Sequence, residues 1–203
     1  MIVDAVVTWV DGADEAHVKK RLNHQASISS NTFEAEAILP TRFSSLCEID
    51  FCLKSLLKFA PWLRTIYIIT DGQTPAILKA WEGSDYAHRF QVIDHHDIFR
   101  GFSQYLPTFN SLSIESMLWR IPDLSEQFIY LNDDCFLLRP LEPSAFFQEG
   151  KPVLRGRWKT QTAHQWKYAY KRFLGKEIIP VGHRRFQENS AKAAGFKTKF
   201  MHL

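Results

Sequence analysis

The run Phe128-Ile129-Tyr130-Leu131-Asn132-Asp133-Asp134-Cys135-Phe136-Leu137-Leu138 sets an amide and two adjacent carboxylates inside an otherwise apolar stretch. A continuous apolar run bounded by polar residues predicts a central strand buried on both faces, and open α/β sheets keep their ligand sites at the carboxyl ends of such strands. Asn132, Asp133 and Asp134 then occupy the turn where a sheet enzyme holds its chemistry. Their oxygens are hard ligands suited to Mg²⁺ or Mn²⁺, ions that keep positions open for substrate phosphates, which points to a nucleotide or nucleotide-sugar diphosphate. The plain alternative is a turn whose Asn and Asp satisfy nearby backbone groups.

The rest of the chain repeats the α/β theme. Ile2 to Val10 reads as a buried first strand opening into the turn Asp11-Gly12, a second candidate ligand position. Ala13 to His24 has helical composition, and the polar stretch Gln25 to Thr41 reads as a long mobile loop able to close over a substrate. Ile49, Leu53, Leu56 and Leu57 recur at helical spacing over Glu48 to Phe59, followed by a strand over Thr65 to Thr70 and another turn, Asp71-Gly72. A third strand, Phe90 to Ile93, ends at Asp94-His95-His96-Asp97, where capping by the two acids is favoured over metal binding because adjacent side chains diverge. A helix capped near Asn110 or Ser111 carries Ile114, Leu118 and Ile121 inward until Pro122.

Glu115 follows an inward-facing residue of that helix and so leans toward the carboxyl edge, as a general base, a further ligand, or an ordinary exposed glutamate. Beside a metal it can divide the work with Asp134, one acid holding the ion and the other accepting a proton. Arg42 and Arg120 are the types that grip phosphate bidentately, and equally the types that form surface ion pairs.

Charge divides the 203 residues into an acidic core over 1–150 and a basic C-terminal segment over 151–203, which holds 13 of the 25 Lys and Arg but only Glu177 and Glu188 of the 22 acids. With Trp158, Trp166, Tyr168, Tyr170 and Phe173 in it, the segment suits an acidic polymer, a nucleic acid or an anionic membrane surface, or is a solvated face whose aromatics turn inward. Cys47, Cys52 and Cys135 form no metal or disulfide pattern and read as reduced, buried thiols. No apolar stretch approaches a membrane span and the start lacks the order of a signal peptide, so the expected compartment is the cytoplasm.

Asp4-Ala5-Val6-Val7-Thr8-Trp9-Val10-Asp11-Gly12 resembles the first motif of the Stealth family of sugar-1-phosphate transferases. The second motif is matched at length: Arg42-Phe43, Glu48, Leu53, Ser55, Ala60-Pro61-Trp62, Ile66 to Thr70, Gly72-Gln73, Pro75, Asp97-Ile98-Phe99, Leu106 to Ser111, Ile114-Glu115-Ser116, Arg120-Ile121, Leu124-Ser125 and Phe128 to Asp134. The family includes bacterial capsule polymerases and the animal N-acetylglucosamine-1-phosphotransferase. The resemblance implies a nucleotide-sugar fold like that of GT-A glycosyltransferases, a mostly parallel sheet flanked by helices. It implies transfer of hexose-1-phosphate from a UDP-sugar to a polysaccharide or glycolipid acceptor, with release of UMP and with a divalent ion. Carried over, Glu115 and Asp134 match catalytic acids and Asn132, Asp133 and Asp134 the metal turn. Asp11, Gly12, Arg42, Glu48, Asn110 and Arg120 match the substrate side.

Many members carry histidines where this chain has Met117 and Trp119, and an arginine or similar residue where Asp50 stands. Members also continue into later motifs with a catalytic histidine and an arginine, whereas this chain ends at Leu203, about where the third motif begins. The implied setting is bacterial capsular, exopolysaccharide or lipopolysaccharide synthesis in the cytoplasm or peripherally at the inner membrane face, without a nucleic-acid partner. A metal-dependent glycosyltransferase of the same fold and a non-catalytic glycan-binding module are the rival expectations.

Overall fold

The computed structural model describes residues 1–27, 46–180 and 182–202, and Arg42 and most of the expected long loop lie outside them. The chain divides into two compact units, Met1–Lys151 and Pro152–Leu203.

In the first unit β1 (Asp4–Thr8), β2 (Ile66–Thr70), β3 (Phe90–Asp94) and β4 (Phe128–Asn132) form a four-stranded, wholly parallel sheet in the order β3-β2-β1-β4. Alternation along β1 and β2 builds two cores. Ala5, Val7, Ile66 and Ile68 face α2 (Glu48–Phe59) and α3 (Ala76–Ala80), while Val6, Tyr67 and Ile69 face α4 (His95–Ile98) and α5 (Ser111–Glu115). Helices on both faces of a parallel sheet are the expected α/β architecture, since β-α-β crossovers place them there. In α2, Ile49, Cys52, Leu53 and Leu56 are all buried, the stripe that helical periodicity demands. Each fully buried aliphatic side chain contributes roughly 1.5–3 kcal/mol.

At the amino ends of the strands, Asp4 is fully buried yet saturated. It accepts Arg64 Nε at 2.9 Å and Nη2 at 2.6 Å, Thr65 N at 3.2 Å and Ser125 N at 2.7 Å. α1 (Glu15–Ser27) starts where Asp14 Oδ1 accepts His17 N at 2.8 Å, and its last turn includes Gln25 and Ala26, which the sequence assigned to the loop.

Three expectations are corrected. β4 is an edge strand rather than a central one. It stops at Asn132, and Phe136 and Leu138 beyond it are 49% and 82% exposed. An apolar run cannot report whether a neighbour lies on one side or two; β2 is buried throughout and β1 up to Val7. The helix bearing Glu115 is only Ser111–Glu115, followed by a separate 3₁₀ turn at Leu118–Arg120, although Ile114, Leu118 and Ile121 all point inward as expected. Of the three free thiols only Cys52 is buried, and Cys47 and Cys135 are exposed.

The first unit closes with a short hairpin, β5 (Phe147–Gln148) and β6 (Lys151–Pro152). The second contains α6 (Ala169–Phe173), α7 (Gly182–Ala193) and an antiparallel pair, β7 (Arg157–Thr160) with β8 (Lys199–His202). Gly156 lets the chain pass β8 closely, since a Cβ there would lie 2.5 Å from the His202 carbonyl oxygen. Phe200, Gln161 and Glu188 are its most deeply buried side chains.

Candidate active site at the carboxyl edge of the sheet

All four strands end on the same edge, and three of the turns that follow carry acids: Asp11 after β1, Asp71 after β2, and Asp133 and Asp134 after β4. Asp94 is itself the last residue of β3. Connections leave β1 toward β2 and β3 on one side while β4 lies on the other, so the topological switch point falls between β1 and β4. Open α/β sheets bind ligands in the crevice at that point. Thr8 and Asn132 are register partners there, which sets the Asp11 turn beside the Asp133-Asp134 turn.

Pairing through the sheet gives the acids different surroundings. On the α2 side, the Asp133 carboxyl is pushed up to about 6, chiefly by burial and further by the neighbouring charges of Asp134 and Glu48. Cys52, also on α2, is pushed up to about 12 by burial and then by Asp133, Cys135 and Asp134. On the opposite face, the Tyr130 hydroxyl stands 2.7 Å from Asn132 Oδ1, 3.0 Å from Thr8 Oγ1 and 3.4 Å from Glu115 Oε1. Burial pushes its phenol up to about 12, so it keeps its proton and donates it to the closest acceptor, Asn132. The half-buried Glu115 is thereby brought beside the strand that ends in the two acids.

The Asp11 turn is held by a reciprocal clasp: Asp11 N donates to Gln73 Oε1 at 2.7 Å and Gln73 Nε2 donates to Asp11 O at 3.1 Å. Asp11 Oδ1 accepts Ala13 N at 2.9 Å, and Gly12 is buried in the turn. Gly72, at φ +70, supplies the left-handed step after β2, and its N–H donates to Asp94 Oδ2 at 2.6 Å. Asp71 is neutralised locally: Lys20 Nζ donates to it at 2.7 Å, and His17 Nδ1 lies 3.1 Å away. Asp94 and Asp97 form a capping box on α4, so these acids serve the helix.

The structure gathers Asn132, Asp133, Asp134, Glu48 and Glu115 around the end of β4, with Asp11 and Gly12 across the crevice. Two expected substrate residues make local contacts in the folded chain. Asn110 Oδ1 caps α5 by accepting Leu112 N at 3.0 Å, and Arg120 Nη2 donates to the Arg100 carbonyl with its guanidinium 5.0 Å from the Phe102 ring centroid. Sequence reasoning missed Tyr130 and Gln73. Tyr130 sits within an apolar strand and gave no polar signal, whereas Gln73 lay in the quoted motif beside the Asp71-Gly72 turn and needed only a partner. Two buried polar atoms at this edge, Trp9 Nε1 after β1 and Thr70 Oγ1 at the end of β2, have no partner among the described residues.

The donor set fits a divalent ion shared with a ligand. Among the described residues no three acidic, histidine or cysteine side chains form a closed cage. Mg²⁺ commonly takes one or two carboxylates plus substrate phosphates, and the crowded negative charge at Asp133 is what a cation would relieve. Asn132, Asp133 and Asp134 would hold it. Also among the described residues, no helix is long and apolar enough to cross a membrane.

The sequence pattern described as Stealth protein CR2, conserved region 2, matches residues 42–154. An exopolysaccharide phosphotransferase of Streptomyces coelicolor is 43% identical over 145 residues, 71% of this chain and 25% of its own length. A capsular polysaccharide phosphotransferase of Aeromonas hydrophila is 41% identical over 146 residues, 72% of this chain and 38% of its own length. A second exopolysaccharide phosphotransferase of S. coelicolor is 42% identical over 193 residues, which covers 95% of this chain and 28% of that protein. The chain thus spans between a quarter and two fifths of the length of these curated relatives. With its parallel α/β sheet and the match across more than half its residues, the chain belongs to the Stealth family, whose core is GT-A-like.

Proposed function

We propose that the chain carries the donor site of a sugar-1-phosphate transferase. Hexose-1-phosphate passes from a UDP-sugar to a hydroxyl of a polysaccharide or glycolipid acceptor and UMP is released, in capsular, exopolysaccharide or lipopolysaccharide synthesis. The observation that carries this reading is the convergence of Asp133, Asp134 and Glu115 on one side of the switch-point crevice with the clasped Asp11 turn on the other. The relatives are named phosphotransferases, which favours breaking the bond between two phosphates over breaking the anomeric bond.

In this reading Asn132, Asp133 and Asp134 would hold Mg²⁺ or Mn²⁺, and a divalent ion there would supply charge neutralisation for the diphosphate. Gly12 and the backbone of the Asp11 turn border the donor, and the Gln73 clasp keeps that turn in place. Glu115 accepts the proton of the acceptor hydroxyl as its oxygen bonds to the β-phosphorus, and the bond to the bridging oxygen breaks so that UMP leaves. Tyr130 stands between Glu115 and the end of β4, its hydroxyl bonded to Asn132. Glu48 adds to the negative field around Asp133, and Arg42 remains a candidate phosphate ligand from the family motif. The reaction would run in the cytoplasm or at the inner membrane face.

The test is product analysis by mass and phosphorus NMR, with Mg²⁺ or Mn²⁺, a panel of UDP-hexoses and hydroxyl acceptors. UMP with a phosphodiester product supports the reading. UDP release would instead assign a glycosyltransferase.

A further inference from the structure

The second unit holds two adjacent cavities that this chemistry does not use. One, of about 320 Å³, is lined by Thr162, Tyr168, Lys171 and Arg184 together with the loop 177–180. The other, of about 480 Å³, is lined by Lys159, His164, Trp166, Lys167 and Arg184 among others. Arg184 lines both, so the two cavities adjoin at its side chain and form the two halves of a basic groove.

That shared wall is built around a buried charge. Glu188, 1% exposed, accepts Arg184 Nε at 2.8 Å, Thr162 Oγ1 at 2.7 Å, and Thr162 N at 2.9 Å and 3.0 Å on its two oxygens. Arg184 also donates to the Thr160 carbonyl at 3.1 Å and lies 5.2 Å from the Phe200 ring. A buried carboxylate is tolerable only when its oxygens are bonded, and here the bonding fixes in place Arg184 and Thr162, both of which line the cavity wall. Along the floor, the Lys167 and Lys171 ammoniums stand 5.0 Å and 5.9 Å from the Tyr168 ring. The Trp166 ring at the rim is 87% exposed. Residues 152–203 carry twelve Lys and Arg against two acids, one of them the internal Glu188.

Rings and cations therefore line both halves of this groove, Tyr168 and Lys171 in one and Trp166, Lys159 and Lys167 in the other. An aromatic face packs the C–H face of a hexose, and ammonium and guanidinium groups bind phosphate through charge-assisted hydrogen bonds. We propose that this groove is a subsite for the acceptor chain, a glycan whose sugars are joined through phosphodiesters. The choice of polymer rests on the phosphotransfer reading above.

The test measures binding of a fluorescent oligosaccharide of phosphodiester-linked N-acetylhexosamine units to the full chain by anisotropy. Comparison ligands are the same sugars without phosphate, a sulfated polysaccharide, and phosphatidylglycerol vesicles. The expected result is preference for the phosphodiester ligand, weakened about tenfold or more by Trp166→Ala and by Lys167→Ala, with UDP binding unchanged in both. Equal affinity for the sulfated polymer or the vesicles, or insensitivity to Trp166→Ala, would overturn the proposal. Both variants alter exposed side chains, and their melting curves should match the parent. The two readings fail separately: glycan binding without UMP release counts against the donor-site reading alone, and transfer to a small hydroxyl acceptor without glycan binding counts against the groove alone.

Discussion

Asp133 carries its charge where burial and two neighbouring carboxylates oppose it, an arrangement that costs stability and makes sense where a cation is to be held. Asp133→Asn should therefore raise the stability of the metal-free protein, by about 1 kcal/mol once solvent screening of this half-buried site is allowed for. It should also abolish any divalent-ion dependence of UDP binding. A melting temperature below that of the parent in chelator would refute this account of the residue. Glu115 makes a different case, since its nearest described contact is the long one to Tyr130. Glu115→Gln should cut turnover by about 10²–10⁴-fold while the donor dissociation constant stays put. If calorimetry finds donor binding lost as well, the residue belongs to the binding site and not to proton transfer.

At the scale of elements, the turns matter more than the strands. Asp4 ties β1 to the start of β2 through Arg64 and Thr65 and to the approach to β4 through Ser125. Asp4→Ala leaves those donors facing a void, and denaturant titration should show a loss of about 3–5 kcal/mol. Gln73 reaches from the β2 turn to the β1 turn and bonds only backbone at Asp11. Gln73→Ala should weaken UDP binding while shifting stability by about 1 kcal/mol. An unchanged dissociation constant would remove the clasp from the donor site. The span of α2 was legible to the residue, because Ile49, Leu53 and Leu56 announce a helical face and Ala60-Pro61 ends it. The helix carrying Glu115 was not, because Ile114, Leu118 and Ile121 keep helical spacing even though the chain changes to a 3₁₀ turn between them.

For the whole molecule, the response to acid is a sum of opposed contributions: the raised Asp133 carboxyl takes up its proton in the folded chain first and so adds stability as pH falls from about 6, while His95, Asp71 and Glu188 act the other way. Burial holds His95 below its ordinary value, so the unfolded chain takes up a proton that the folded one refuses, and stability falls as pH drops below about 6.5. Burial pushes Asp71 upward, but bonds from Lys20 and His17 outweigh it and leave the carboxyl low. Glu188 is likewise raised by burial and lowered further by Thr162 and Arg184. The contribution of both acids is complete above about pH 4.3 and disappears as pH falls through their depressed values. In the Asp133→Asn variant, which lacks the opposing carboxyl, thermal melting from pH 8 to pH 3 should fall in two stages, first near the histidine range and then below about 4. A melting temperature that rises between pH 6.5 and 5 would contradict the assignment.

The chain's own residues determined the α/β class, the two buried strands, α2 and the acids at the strand ends, because periodicity and turn chemistry are local and are written in consecutive positions. The cap at Asn110 likewise follows from its local sequence: its Oδ1 accepts Leu112 N at the start of α5. Which acids share a crevice, that β4 lies at the edge among the described strands, and that Tyr130 and Gln73 bond to residues at the carboxyl edge were decided only by strand order. Strand order depends on contacts between residues as far apart as Thr8 and Asn132, and no local pattern encodes which strand will lie beside which.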